Sequence, residues 1–240
     1  MKTALIINDV PVELAYSWEE LSCQQYFDVI RSQDDVGAFA ALTGIDAGIC
    51  KQMQPDVLKT ILEPARKFMQ EEIPVYEIKS VAGKSAPEDI GKKEYARKAN
   101  VDYYSKKVSQ VELLFKISCI YLAAGIEDED ITAVENELLQ EKFTDVISIG
   151  SDLFKNYILL CKSESKIPAP EYEPEELQAG VKDFQKYGVH GLVRSIALRW
   201  GISTDDVYKW PYNKVILEIR ITADENSYER RLRRILSPKK

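Results

Sequence analysis

The stretch that decides the fold is an apolar run in the middle of the chain. Residues 106–124 read KKVSQVELLFKISCIYLAA and are followed by Gly125. Apolar side chains recur here three and four residues apart and cover most of the circumference of a helix. A helix that is apolar on most sides must be surrounded by other elements. The run therefore predicts a central buried helix and a mainly α-helical fold.

The N-terminal residues predict a small β element beside the helices. Thr3–Ile7 and Val10–Leu14 are short β-prone runs separated by Asn8-Asp9, which favours a hairpin turn. Residues 74–81 alternate between polar and apolar side chains and predict a strand that could join the hairpin. We therefore expect a small N-terminal hairpin or sheet.

Further helical patterns flank the central run, and each has its own start or stop signal. Ser17 and Glu20 have the spacing of a capping box, which predicts a helix over 18–32. The other predictions are a helix capped by Asp34 or Asp35 and ended by Gly44, a helix over 51–69 in two pieces because of Pro64, and a pattern over 131–161 with a break at Gly150-Ser151. Residues 83–100 are polar and predict a loop.

A proline-rich acidic stretch divides the chain. Residues 163–176 contain three prolines among acidic side chains, so they cannot form one continuous helix. The sequence therefore predicts a main helical domain with N-terminal strands over 1–162, a linker over 163–176, and a smaller helical C-terminal unit over 177–240.

Composition and motifs narrow the classes of function. The 240 residues carry a net charge of −7, which disfavours nucleic acid and anionic membranes as partners. The four cysteines are far apart and lie in apolar helical stretches, which predicts reduced core thiols rather than a metal site. The usual phosphate-loop, dinucleotide, zinc-protease and nucleophile-elbow motifs do not occur. We expect no enzyme activity, no cofactor, no bound metal and no membrane segment.

Two groups of C-terminal residues are candidates for partner binding. Trp210 and Tyr212 flank Pro211, where they are either core anchors or an exposed binding site. The basic end of the chain either stabilises a helix terminus or docks to an acidic partner. Its arginines are Arg230, Arg231, Arg233 and Arg234.

Two stretches resemble the tail assembly chaperones of tailed bacteriophages. Ser17–Tyr26, with Trp18-Glu19-Glu20-Leu21, resembles the opening helix of that family. Ile196–Tyr212, running on to Glu225–Arg231, resembles the second part of many such chaperones. There, a cap, a short helix and a proline precede a long helix that ends in an arginine-rich run. The first half is also similar to myophage baseplate-assembly proteins.

The resemblance implies a role in virion morphogenesis. Such chaperones bind the hydrophobic tape-measure protein in the host cell cytoplasm and keep it soluble while the tail is assembled. The expected partner is thus a tape-measure protein or another phage tail protein, and self-association is a second expectation. Two alternatives stay open: a structural tail or baseplate component retained in the virion, and an enzyme of unrecognised type.

Overall fold

The computed structural model describes residues 3–7, 10–169 and 172–236, and most of these residues are helical. The helices are α1 (Cys23–Arg31), α2 (Asp35–Thr43), α3 (Ala47–Cys50), α4 (Pro55–Met69), α5 (Tyr95–Tyr104), α6 (Gln110–Leu122), α7 (Asp128–Leu139), α8 (Phe143–Glu164), α9 (Pro174–Gln178), α10 (Gly188–Trp200), α11 (Thr204–Tyr208) and α12 (Tyr212–Leu236). Short 3-10 helices cover Trp18–Glu20, Ile90–Lys92 and Val181–Tyr187. The prediction of a mainly α-helical fold is confirmed.

The strands form two small antiparallel pairs. β1 (Thr3–Ile7) pairs with β2 (Val10–Leu14) in the register Thr3 to Leu14, as the hairpin prediction requires; its turn at Asn8-Asp9 lies outside the described residues. The prediction of a strand over 74–81 is wrong in extent and in partner. Only β3 (Ser80–Val81) forms there, and it pairs with β4 (Lys84–Ser85) rather than with the hairpin.

The chain divides into two compact units, and both are discontinuous in sequence. Unit 1 comprises Met1–Ala86 and Ser109–Leu153, and unit 2 comprises Pro87–Val108 and Phe154–Lys240. This differs from the predicted division into 1–162, 163–176 and 177–240. The segment 87–108 and the end of α8 belong with the C-terminal helices because their side chains pack there. The predicted linker therefore runs within unit 2; its residues 170 and 171 lie outside the described part of the chain.

Unit 1 is built around α6, the predicted central helix. Nine of its thirteen residues are buried, from Leu113 to Leu122. An aromatic cluster packs nearby, in which Phe143 stacks on Tyr26 with ring centroids 4.1 Å apart and on Trp18 at 5.4 Å. Cys23, Cys50 and Cys119 are buried free thiols, whereas Cys161 is half-buried. The prediction for α6 is therefore confirmed within a few residues at each end.

α8 continues through Gly150, so the predicted break there is wrong. An ideal Cβ placed on Gly150 would overlap the carbonyl oxygen of Leu114, and it would lie 2.8 Å from the carbonyl carbon and 2.9 Å from Ser118 Oγ. The hydroxyl oxygen of Ser118 lies 3.0 Å from the carbonyl oxygen of Val146 on α8. Gly150 is thus a contact point between two helices, where only the absence of a side chain permits the approach.

Two other helix predictions need correction. The helix predicted in two pieces is a single helix, because α4 is continuous through Pro64. Pro64 cannot donate to the carbonyl of Thr60, but both residues are exposed, so water can bond that carbonyl. The capping box lies at Ser22 and Gln25 rather than at Ser17 and Glu20, so the first α-helix begins at Cys23.

The polar segment 83–100 is not a loop throughout, because it contains a 3-10 turn and the first part of α5. Arg97 and Lys98 are buried in α5, and each pairs with a carboxylate. Their charge makes the segment resemble a solvated loop in the sequence.

We predict that Gly150→Ala lowers the free energy of unfolding of unit 1 by about 1–3 kcal/mol, because the new methyl group overpacks a backbone contact. The matched control is Gly191→Ala in α10, where a new Cβ meets only Tyr187 Cβ at an ordinary 3.6 Å. That change should raise stability by up to about 1 kcal/mol through helix propensity. Differential scanning calorimetry measures both, and a stabilised Gly150→Ala protein would contradict the role of Gly150 as a packing contact.

Candidate functional site

A main-chain pairing joins the segment 87–108 to the C-terminal helices within unit 2. The amide of Tyr95 donates to the carbonyl of Trp210 at 2.8 Å, and the amide of Tyr212 donates to the carbonyl of Lys93 at 2.8 Å. We call this pair of hydrogen bonds the clamp. It brings the Tyr95 and Tyr212 rings together in a stack with centroids 6.1 Å apart.

The clamp lies beside an apolar core formed by α10, α11 and α12. The buried members of this core are Tyr95, Val193, Ile196, Ala197, Val207, Tyr212, Val215 and Ile216. Ser203 begins α11 with a capping box to Asp206, and Gly201 ends α10 at φ +65°, a conformation that glycine adopts without strain. These signals fix the turn between α10 and α12, so that the two helices can form the walls of a depression.

That depression is a groove of about 540 Å³, and every residue that lines it belongs to unit 2. Its walls are α10, α12, the start of α5 and residues 164–169, 172 and 176. The apolar lining includes Ile167, Val189, Leu192, Ile196, Ile216 and Ile219. Along α12 the lining runs from Ile216 to Arg233, a span of about 26 Å at 1.5 Å per residue. The groove is therefore long and largely apolar.

A buried polar network borders one end of the groove. Lys98 Nζ lies 2.7 Å from Asp102 Oδ2 and 2.7 Å from Glu164 Oε2, and Lys98 and Glu164 both line the groove. The Tyr157 hydroxyl donates to Asp102 Oδ1 at 2.7 Å, and the Tyr212 hydroxyl donates to the carbonyl of Leu160 at 3.2 Å.

The surroundings of this network set its protonation. Burial lowers the pKa of Lys98, but the two carboxylate partners outweigh burial and raise that pKa above its ordinary value. Burial raises the pKa of Tyr95 to about 12, and it raises the pKa of Tyr157 and Tyr212 above the ordinary range. Lys98 is consequently held as an ammonium ion, which is neither a nucleophile nor a base. The arrangement favours fixed ionic contacts over proton transfer.

The four predicted arginines do not act as one group. Arg230 and Arg233 line the far end of the groove, and Arg233 lies 3.4 Å from Glu229. Arg234 lies 3.4 Å from Glu173, and Arg231 is exposed. The structure thus brings two of the four arginines to the groove.

The predicted aromatic pair is also divided. Tyr212 is only 2% exposed and belongs to the core, so the core interpretation holds for it and its ring is not available to a partner. Trp210 is half-buried, packs edge-to-face on Trp200 at 5.6 Å, and has Lys214 Nζ 3.4 Å from its ring centroid. With its ring already covered by a lysine, Trp210 is a poor candidate for a binding hot spot.

The apolar residues that line the groove, such as Ile216, Ile219 and Ala223 on α12, were not among the predicted site residues. Together with the polar lining residues of the same helix, they form the series Ile216, Ile219, Ala223, Asn226, Arg230 and Arg233. These positions are spaced three or four residues apart, which is the signature of one helix face. That pattern is present in the sequence, but the wall formed by α5 has no local signal, because the clamp that positions α5 joins residues distant in sequence.

We predict that Lys98→Met lowers the free energy of unfolding of unit 2 by about 3 kcal/mol, because it leaves two partly buried carboxylates without their cation. The control is Lys107→Met, whose Nζ lies over the exposed Tyr103 ring at 3.6 Å and should contribute less than about 1 kcal/mol. Equal losses in urea unfolding would contradict a stabilising role for the Lys98 network.

The same substitution tests the pKa of Lys98. Because the folded pKa is raised above the ordinary 10.5, the ammonium ion contributes its full stability below pH 10.5 and loses it as the pH rises above that value. The Lys98→Met protein should therefore lose less stability than the wild type between pH 10 and 12.

Within residues 3–7, 10–169 and 172–236, no three His, Cys, Asp or Glu side chains come together in a way that could hold a metal ion. No helix in these ranges is both long enough and apolar enough to cross a membrane. Comparison with known proteins gives no matching family model, no matching curated protein and no matching solved structure.

Proposed function

We propose that this chain is a tail assembly chaperone of a tailed phage, which binds an apolar helical stretch of the tape-measure protein and keeps it soluble in the host cell cytoplasm. The observation that carries the proposal is the long apolar groove of unit 2. The resemblance in Ser17–Tyr26 and in Ile196–Tyr212 with Glu225–Arg231 supplies the choice of partner. Ile196, Asn226 and Arg230, which belong to the second of these stretches, line the groove.

The dimensions of the groove fit one side of a helix. A span of about 26 Å corresponds to about five turns at a pitch of 5.4 Å. The volume of 540 Å³ is roughly three to four times that of a 150 Å³ cavity that accommodates benzene. A helix lying over the opening can therefore insert several large apolar side chains, one from each successive turn. This is the helix-in-groove mode of recognition.

An extended peptide fits the groove less well. Recognition of an extended chain depends on main-chain hydrogen bonds to a free strand edge. The walls here are mainly helices, whose backbone groups are paired within each helix except at the ends. An extended occupant would leave most of its own amides and carbonyls unpaired at an apolar surface, which is costly.

The charges at the far end of the groove favour an acidic residue on the bound helix. Arg233 contacts only Glu229 among the ion pairs described above, at 3.4 Å, and both side chains are more than half exposed. Such an exposed pair contributes less than about 1 kcal/mol, so an acidic partner can replace it at little cost. The arginines then set the direction of the bound helix, because only one orientation places its acidic end beside them.

We predict that Leu192→Asp reduces the amount of co-expressed tape-measure protein that co-purifies with the chain by about tenfold or more, since it places a charge in the apolar groove. The matched control is Leu198→Asp on the same helix. Leu192 is 44% exposed and lines the groove, whereas Leu198 is 73% exposed and does not. Both proteins should melt like the wild type, because both positions are exposed. Equal capture by the two variants would contradict the groove assignment.

A second experiment separates a chaperone from a structural component that is retained in the virion. We predict that mass spectrometry of purified virions detects the chain at far below stoichiometric amounts, while lysates of infected cells contain it together with the tape-measure protein. A stoichiometric signal in washed virions would rule out the chaperone proposal and favour the structural alternative.

A further inference from the structure

The face of α12 that points away from the groove carries an exposed apolar stripe. Its members, with their exposed fractions, are Leu217 (55%), Ile221 (36%), Tyr228 (59%), Leu232 (38%) and Ile235 (78%). At 3.6 residues per turn, these five positions fall within an arc of about 60°. The groove-lining positions Ile219, Asn226 and Arg230 lie on the opposite side of the same helix. The stripe is therefore a separate surface from the groove.

Two charges of opposite sign lie along one edge of the stripe, about 20° and 40° outside its arc. Asp224 falls between Ile221 and Tyr228, and Arg231 falls between Tyr228 and Ile235. Both side chains are exposed. Along the helix, the stripe and its charged edge therefore follow the order apolar, acidic, aromatic, basic, apolar. The sign of the charge reverses about a midpoint next to Tyr228.

This order is self-complementary only in one orientation. A parallel second copy in register would place Asp224 against Asp224 and Arg231 against Arg231, which is unfavourable. An antiparallel copy related by a twofold axis near Tyr228 places Asp224 of each copy against Arg231 of the other. It also brings Ile221 of each copy close to Ile235 of the other, since the two lie at nearly equal distances from the midpoint.

We propose that the stripe on α12 is a self-association surface, at which a second copy of this chain binds antiparallel through a twofold axis near Tyr228. A surface that pairs with itself must carry both halves of each contact, and the stripe does so with one acidic and one basic side chain. Because the groove faces the other way, both copies of the dimer keep their grooves open. The proposal is independent of the identity of the groove's occupant.

The size of the surface sets the strength of the dimer. The stripe from Leu217 to Ile235 is about 27 Å long, and a helix is about 10 Å wide, so each copy contributes roughly 300 Å². This is below the roughly 800 Å² per partner of a standard stable interface. The dimer therefore belongs to the weak class and forms reversibly as the concentration rises.

The test is sedimentation equilibrium of the full chain without any partner protein, over a wide concentration series. The wild type should shift from 27.4 kDa toward twice that mass. Asp224→Arg and Arg231→Asp should each weaken the dimer by about tenfold, since two contacts per dimer change from attraction to repulsion. The double variant should restore the wild-type equilibrium.

The restoration is the decisive result, because it cannot come from within one helix. Residues 224 and 231 are seven positions apart, about 10.5 Å along the axis, which is beyond the reach of neighbours three or four residues apart. Tyr228→Asp should leave only monomer, while Phe184→Asp, a change at a 68% exposed apolar residue outside the stripe, should leave the equilibrium unchanged.

Three outcomes would overturn the proposal. They are a wild type that stays monomeric at all concentrations, a double variant that remains as weak as the single ones, and a dimer that Phe184→Asp disrupts as strongly as Tyr228→Asp. Since no partner is present, failure here leaves the tape-measure proposal standing, and failure of tape-measure capture leaves the dimer standing.

Discussion

The clamp between residues 93–95 and 210–212 is the constraint on which unit 2 depends. Its two hydrogen bonds, each 2.8 Å long, join residues more than a hundred positions apart in sequence. They place Tyr95 on Tyr212 at the start of α12, and they hold α5 where Lys98 can reach Glu164. Without the clamp, the groove would lose the wall that Tyr95 and Lys98 provide, and the partly buried carboxylates would lose their cation.

The two faces of α12 have different chemistry, which follows from its sequence. One face presents Ile219 and Arg230 to the groove, and the other presents Leu217 and Tyr228 to solvent. A helix that is apolar on two opposite sides can pack against two different neighbours at once. We propose that one neighbour is a helix of the tape-measure protein and that the other is a second copy of the chain.

The sequence predicts elements whose signals are local, and it fails where contacts between distant residues decide. α6 follows from its apolar periodicity and the glycine after it, and it is close to its predicted bounds of 106–124. Gly150 resembles a helix break in the sequence, because its role is a contact with Leu114 on another helix. Lys98 resembles a loop residue, because nothing nearby in sequence shows that Glu164 will pair with it. The candidate site was predictable only in part for the same reason. Arg230 and Arg233 were identified, and a core position for Tyr212 was one of two alternatives, but the groove was not predicted.

The most direct test of the proposed role of the groove uses photo-crosslinking in cells that co-express the tape-measure protein. A photoreactive phenylalanine derivative is placed at position 192, in the groove, or at position 228, on the stripe; both positions are exposed and accept a bulky side chain. We expect position 192 to crosslink to the tape-measure protein and position 228 to crosslink to a second copy of the chain. A tape-measure adduct from position 228, with none from position 192, would contradict the assignment of the groove as the binding site.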